Sequence, residues 1–314
     1  MNKMIVVIGF GPVGRATTEA LLAQGTTVRV AQRTRPADLP PHVAFRPCDV
    51  ANARSVSTAI EGADQVVVAI GLPYDGAVWR RTWPLAMTNL IEACAATGAR
   101  MVFVDGLYML GPQREPLRED MPLTTFGVKP AVRSEVTRIW MAATSRVRVA
   151  ALRAPDFYGP GVANSHLGDT AFGALAKGKT ATLVAPPDTP HDFAYVPDIA
   201  RAVIALLDAP DDAFGQIWNM PCAPTRTPRE IFALGATALG ASPKLLAVPL
   251  WMLPLIGLFV PFLREVVEMR FTLDRPYRVD AGKFTRRFAF AATPFEIGAP
   301  ATARAFRDAA KTPT

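Results

Sequence analysis

One short stretch near the N-terminus constrains this chain more than any other. Gly9-Phe10-Gly11-Pro12-Val13-Gly14 stands directly after the apolar run Met4–Ile8 and opens a segment of helical composition at 13–24. A G-x-G-x-x-G run between a strand and a helix is the fingerprint of a dinucleotide-binding βαβ unit. Gly9 permits the tight turn, Gly11 lets the backbone approach a pyrophosphate, and Gly14 lets the helix lie close on the strand. Phe10, Pro12 and Val13 belong to the same loop and helix start, so the whole run is assigned to the cofactor. Its diphosphate is expected against the N–H groups at the positive end of that helix.

The end of the next strand bears on which dinucleotide is bound. An acidic residue about 20 positions after the glycines would bind the adenosine ribose hydroxyls of NAD and repel the 2′-phosphate of NADP. Here the strand leads into Gln32, Arg33, Thr34 and Arg35, with no carboxylate. Guanidinium groups pair well with phosphate. Gln32, Arg33 and Arg35 are therefore assigned to the cofactor and NADP(H) is expected over NAD(H), with a pair of solvated arginines as the alternative. Asp49, in Pro47-Cys48-Asp49-Val50, can accept the adenine amino hydrogen or cap the following helix.

Strand-like runs at 4–8, 27–31, 65–70 and 101–104 alternate with helical segments at 13–24, 53–61 and 78–97. Short apolar strands of this kind suit a parallel sheet buried on both faces, and the alternation implies βαβ crossovers. Residues 129–145 continue it, because Val132, Val136, Ile139 and Trp140 recur at helical spacing. Residues 147–152 read as a sixth strand. The expected fold is α/β, a doubly wound parallel Rossmann sheet with a smaller, mostly helical C-terminal substrate lobe. After Arg153 proline and glycine cluster at 154–162 and 185–190, which marks excursions from the sheet. Thr227-Pro228-Arg229-Glu230 reads as a helix start with a capping box. The expected division is a dinucleotide-binding domain at 1–158, to which 191–220 returns, and a substrate lobe at 159–190 and 221–314. The last five residues read as frayed.

The formal net charge of +7 raises nucleic acid as a partner, but the basic residues are scattered and not interleaved with aromatics. No nucleic-acid partner is expected, and a small-molecule substrate and a possible homodimer are. Cys48, Cys94 and Cys222 are odd in number and far apart, which gives neither a disulfide framework nor a metal-ligand spacing and points to a reducing, cytoplasmic setting. His42, His166 and His191 read as isolated, so no metal is expected. The chain moves straight into its first strand, with no signal peptide read. Residues 245–263 carry no charge and lie between Lys244 and Arg264, but Pro249, Pro254, Gly257 and Pro261 interrupt them. Interior prolines break helices. Short buried helices are expected there, and no membrane span. The apolar Phe172, Leu175, Trp251, Met252 and Phe259 suit either a moderately hydrophobic substrate or simple core.

Taken with Val66–Gly71, Phe103–Gly111, Arg153–Gly161 and Tyr195–Ala200, the first motif makes nearly the whole chain resemble an extended or atypical short-chain dehydrogenase/reductase of the NAD-dependent epimerase/dehydratase family. The resemblance implies that Ala69 and Gly71, after the fourth strand, and Pro155, after the sixth, border the cofactor. It also implies hydride chemistry and a Tyr-x-x-x-Lys pair on the helix after strand five, where lysine lowers the tyrosine pKa. That pair is missing: none of Tyr74, Tyr108, Tyr158, Tyr195 and Tyr277 has lysine four residues later. By register the tyrosine position falls near Phe126 or Gly127 and the lysine near Pro130 or Ala131.

Two readings follow. In one the chain is an NAD(P)(H)-dependent oxidoreductase or epimerase-like enzyme with a relocated proton donor. Tyr108, just past strand five, is preferred and Tyr74, after strand four, is second. Asp105 can orient a phenol or a substrate hydroxyl, and Lys129 or Arg133 can reach the ribose in place of the missing lysine. In the other reading the fold holds NADP(H) without turnover, as a redox sensor or scaffold.

Overall fold

The computed structural model describes residues 3–184 and 186–311. Residue 185, in the second proline-rich stretch, and residues 312–314, most of the tail read as frayed, lie outside the described residues.

In the first half of the chain, strands β1 (Met4–Ile8), β2 (Thr27–Gln32), β3 (Ala44–Pro47), β4 (Gln65–Val68), β5 (Arg100–Asp105) and β6 (Val149–Arg153) alternate with helices α1 (Pro12–Ala23), α2 (Ala53–Ile60), α3 (Gly76–Thr97) and α4 (Lys129–Ala142). The second half adds short strands β7 (Phe157–Tyr158), β8 (Ala181–Leu183), β9 (Ala194–Tyr195), β10 (Gln216–Asn219) and β11 (Leu245–Ala247). Its helices are α5 (Ala174–Ala176), α6 (Val196–Leu207), α7 (Pro228–Ala238), α8 (Leu253–Ile256), α9 (Pro261–Glu268), α10 (Gly282–Phe288) and α11 (Phe295–Ala309).

These elements form two compact units. The first comprises Met1–Gly111, Pro122–Arg153 and Ile199–Trp218, and the second Pro112–Met121, Ala154–Asp198 and Asn219–Thr314. The first unit carries a seven-stranded sheet in the order β10-β6-β5-β4-β1-β2-β3. It is the doubly wound parallel sheet that the alternation predicts: β1 pairs in parallel with both β2 and β4, and β4, β5 and β6 follow in parallel. The strand order reverses between β1 and β4, which opens a crevice at their C-terminal ends.

Burial on both faces explains why the strands are apolar throughout. β4 is buried along its whole length, and its one polar side chain, Gln65, donates to the Leu207 carbonyl at 2.7 Å. Trp83, Leu90 and Ile91 of α3 and Val136 and Trp140 of α4 share a core with Val6, Ile8, Val66 and Val68 of the sheet. Helix α3 starts where the Asp75 carboxylate accepts from the Val78 N–H and stops at Gly98, whose φ of 74° ends the right-handed run.

The second unit is mostly helical, with two-stranded pairings β7–β9 and β8–β11. Its core joins Phe172, Leu175, Phe232, Phe295, Ala299 and Ala303, so Phe172 and Leu175 are structural and do not offer themselves to a substrate. At α7 the capping box is formed as the sequence predicts, with Pro228 in the first turn. The expectation of short buried helices in residues 245–263 holds for length alone. Trp251 is 70% exposed, Leu258 77% and Phe259 86%, because only one side of α8 and α9, through Leu253 and Val266, meets a core. No helix among the described residues is long and apolar enough to cross a membrane.

Candidate functional site

The glycine loop between β1 and α1 is tied down at two positions and open at the third. Gly9 has φ 96°, and a Cβ there would run into the Ala69 carbonyl at the end of β4. A Cβ on Gly14 would overlap the Gly9 carbonyl oxygen. A Cβ on Gly11 would meet no protein atom within 4 Å. Two glycines are therefore fixed by chain packing and the third faces free space at the N-terminus of α1, which has no side-chain cap. Pro12 at the first helical position removes one N–H that would otherwise be unpaired. Phe10 and Val13 are buried beneath the loop and anchor it.

Gln32, at the end of β2, turns back onto this loop. Its Oε1 accepts the Phe10 N–H at 3.0 Å and its Nε2 donates to the Thr34 carbonyl at 2.9 Å. It thereby holds the loop shape at the place where the sequence leads one to look for a ribose contact. Arg35 donates to the Pro40 and Val43 carbonyls and lies 5.7 Å over the Phe45 ring. Arg33 is exposed and makes no hydrogen bond or ion pair with the described residues. Asp49 is exposed, and its Oδ1 accepts the Ala51 N–H at 3.0 Å. The cap of α2 is Asn52, so the capping alternative for Asp49 does not hold. Ala69 is half-buried at the β4 edge beside Gly9, and Gly71 is exposed just beyond it.

A second group gathers past the C-terminal ends of β4 and β5. Trp79, buried at the start of α3, is stacked on Tyr108 at 6.3 Å between ring centroids and meets Tyr74 edge-on at 5.7 Å. Both tyrosines are partly exposed. Lys129, the first residue of α4 and fully buried, places its Nζ 4.9 Å from the Tyr74 ring centroid. Tyr74, Tyr108 and Lys129 are thus neighbours although they lie far apart in the chain.

Asp105 and Arg133 are turned to each other. The Arg133 guanidinium pairs with Asp105 Oδ1, which also accepts the Gly106 N–H at 2.7 Å. Both side chains are buried, and the guanidinium lies 4.1 Å over Trp83. A buried, paired charge of this kind is costly to break. The same guanidinium lies 5.9 Å from the Trp79 ring, and Asp105 Oδ2 meets no donor among the described residues. Phe126 and Gly127, the positions expected from the tyrosine register, precede α4, and Phe126 is exposed. A tyrosine-lysine pair on one helical face has no turn of helix to stand on there.

Pro155, buried in the loop after β6, belongs to the second unit. Next to it the structure corrects the reading of isolated histidines. His191 Nε2 lies 3.0 Å and His166 Nε2 3.5 Å from the same Asp156 Oδ2. Burial pushes Asp156 up, but His166 and the His191 hydrogen bond outweigh it and hold the carboxyl below its usual range. Burial, with His191 adding to it, pulls His166 down against the attraction of Asp156. No spacing in the sequence signals this meeting, which follows from the pairing of β7 with β9 that sets the Asp156 carbonyl on the Ala194 N–H at 2.9 Å. Among the described residues no group of three or more histidine, cysteine or acidic side chains is placed to hold a metal.

The remaining tyrosines and the thiols lend themselves poorly to proton or nucleophile chemistry. Burial pushes the Tyr158 phenol far above its usual value, and burial raises Cys48 to about 11 and Cys94 to about 12.

The family model for the NAD dependent epimerase/dehydratase family matches residues 5–220. No curated protein matches. Among solved structures the fold is shared with a putative epimerase from Burkholderia cenocepacia at 18% identity, covering 98% of each chain with a TM-score of 0.80. It is shared too with UDP-glucose 4-epimerase of Thermus thermophilus in complex with NAD, at 22% identity over 98% of this chain and 99% of that one, TM-score 0.78. UDP-glucuronic acid 4-epimerase of Bacillus cereus in complex with NAD is similar at 16% identity over 98% and 100%, again with a TM-score of 0.78. At these identities the likeness speaks for the fold.

Proposed function

The chain belongs to the NAD-dependent epimerase/dehydratase family, and from that premise we propose that it oxidises or reduces a carbonyl or hydroxyl carbon of a small, moderately hydrophobic substrate with a nicotinamide dinucleotide. The observation that carries this reading is the meeting of Tyr74 and Tyr108 on Trp79, with Lys129 over the Tyr74 ring, on the same sheet edge as the open Gly11. When bound, the dinucleotide supplies the hydride acceptor or donor. The protein's part is to hold it and to manage one proton.

In this reading Gly9–Gly14 and the N-terminus of α1 receive the diphosphate, Ala69 and Gly71 flank it, and Asp49 reaches the adenine. A phenol gives its proton to the substrate oxygen on reduction and takes it back on oxidation. Lys129, whose Nζ lies 4.9 Å from the Tyr74 ring centroid, brings a positive charge beside that donor. It replaces through space the lysine that the sequence does not place four residues after a tyrosine. Tyr108, on the other side of Trp79, is the alternative donor. The absence of a carboxylate from Gln32 to Arg35 and the uncommitted Arg33 support NADP(H) over NAD(H), although two of the solved neighbours cited above are described with NAD. A cytoplasmic setting belongs to the same proposal. The binding-only alternative has no observation of its own in its favour.

The test is reduced-cofactor oxidation against a panel of small carbonyl compounds. Tyr74→Phe or Tyr108→Phe should lower turnover by about 10²- to 10⁴-fold at unchanged cofactor affinity. Full activity in both variants would remove the proposed donor.

A further inference from the structure

Residues 245–263 are not among the residues assigned to the cofactor, and the exposure of their apolar side chains asks for another account. The segment forms a bent hairpin in which Gly257, at the end of α8, approaches the Arg264 backbone so closely that a Cβ would sit 3.0 Å from it. Leu253, Val266 and Met269 anchor the hairpin inward. Trp251, Leu255, Leu258, Phe259, Val260 and Phe262 point the other way and stay exposed. Large contiguous apolar patches are rare on soluble monomers and mark interaction surfaces.

We propose that this hairpin is a reversible docking surface for an anionic phospholipid bilayer, lying in the headgroup region without crossing. Three observations favour lipid over a protein partner. Leu258 and Phe259 are 77% and 86% exposed, so they stand out as a protruding tip. Such a tip enters acyl chains more readily than it matches a flat protein face. Protein interfaces carry about one hydrogen bond per 100–200 Å². Across Leu245 to Leu263 the Trp251 indole N–H is the only side-chain nitrogen or oxygen group, and tryptophan is the side chain that favours the membrane interface. Charge points the same way. At the two ends of the apolar run Lys244 and Arg264 are exposed, whereas Glu265 and Glu268 are partly buried and Arg270 pairs with Asp274 at 3.9 Å.

The experiment is flotation of the full chain, purified without detergent, with vesicles of phosphatidylcholine alone or mixed with phosphatidylglycerol. The expected result is binding to the anionic vesicles that weakens with salt. The double substitution Leu258→Glu and Phe259→Glu should cut it by about tenfold or more while leaving NADPH binding intact. In the same mixture Trp251→Phe should remove most of the lipid-induced blue shift in tryptophan emission. The proposal is overturned if the unaltered chain ignores both vesicles or if the double variant binds equally well. It is also overturned if the unaltered chain is a dimer that the double substitution splits, with no vesicle binding by either, because a second copy would then cover the hairpin. None of these outcomes depends on whether the cofactor site turns over a substrate.

Discussion

Arg33 and Arg35 carry the same charge just past β2, but only Arg35 is committed within the protein, holding the carbonyls of Pro40 and Val43. Removing Arg35 would loosen a loop, whereas removing Arg33 takes away a charge that the described residues do not use. Arg33→Ala should therefore weaken NADPH by about tenfold while leaving NADH within about twofold, the scale of one charge-assisted hydrogen bond. Fluorescence titration with both cofactors checks this, and equal losses, or tighter NADH binding by the unaltered chain, would dismiss the 2′-phosphate reading. At this scale the legible residues were those whose role is local. Gly9, Gly11 and Gly14 are readable because one turn of backbone sets what each must do. The role of Gln32 was not readable, because its side chain serves the Phe10 N–H, brought near by the β1–β2 pairing. The approach of Lys129 to Tyr74 depends on how α4 sits against the β4–α3 connection, which no spacing encodes.

Among the elements, those with a period and a punctuation mark were readable and those with only composition were not. The start of α7 carries both, since Thr227 accepts the Glu230 N–H at 3.3 Å and Glu230 Oε2 accepts the Thr227 N–H at 2.8 Å. Thr227→Ala should lower stability by about 1 kcal/mol, the usual loss for an N-cap. Chemical denaturation would register it as an earlier midpoint at unchanged slope, and an unchanged midpoint would mean the cap is redundant with Pro228. The α8–α9 hairpin shows the opposite case. Its apolar run suggested burial, but prolines cut it into helices of four and eight residues, each with one side facing a core and the other left outside. Composition counts apolar residues without saying how many sides can be covered. The start of α4 was readable, since the helical spacing expected from residue 129 is met by a helix at Lys129–Ala142, which leaves Phe126 before its first turn.

At the scale of the whole molecule, the order of the sheet was written in the alternation of segments, but the meeting of Asp156, His166 and His191 was not, since it requires β7 and β9 to pair across a long excursion. That meeting gives stability a pH dependence whose sign can be worked out. His166 is pulled below its usual 6.5 by burial, so the unfolded chain takes up a proton that the folded chain refuses; stability from the neutral ring is complete above 6.5 and falls as the pH drops below it. Asp156, held below 3.8, adds stability that is present above that value and is lost at still lower pH, in the same direction. Asp192, near His191, is pushed up by burial and acts in the opposite sense, so a bare pH profile mixes the contributions. A variant separates them. His166→Gln keeps a polar side chain of similar reach but cannot titrate, so the drop in melting temperature between about pH 7.5 and 5.5 should be smaller than in the unaltered chain. Thermal melts of both proteins at the two pH values make the comparison. The same drop in each would show that the acid sensitivity comes from elsewhere, first of all from the like-charge repulsion of a chain whose formal net charge is already +7 at pH 7.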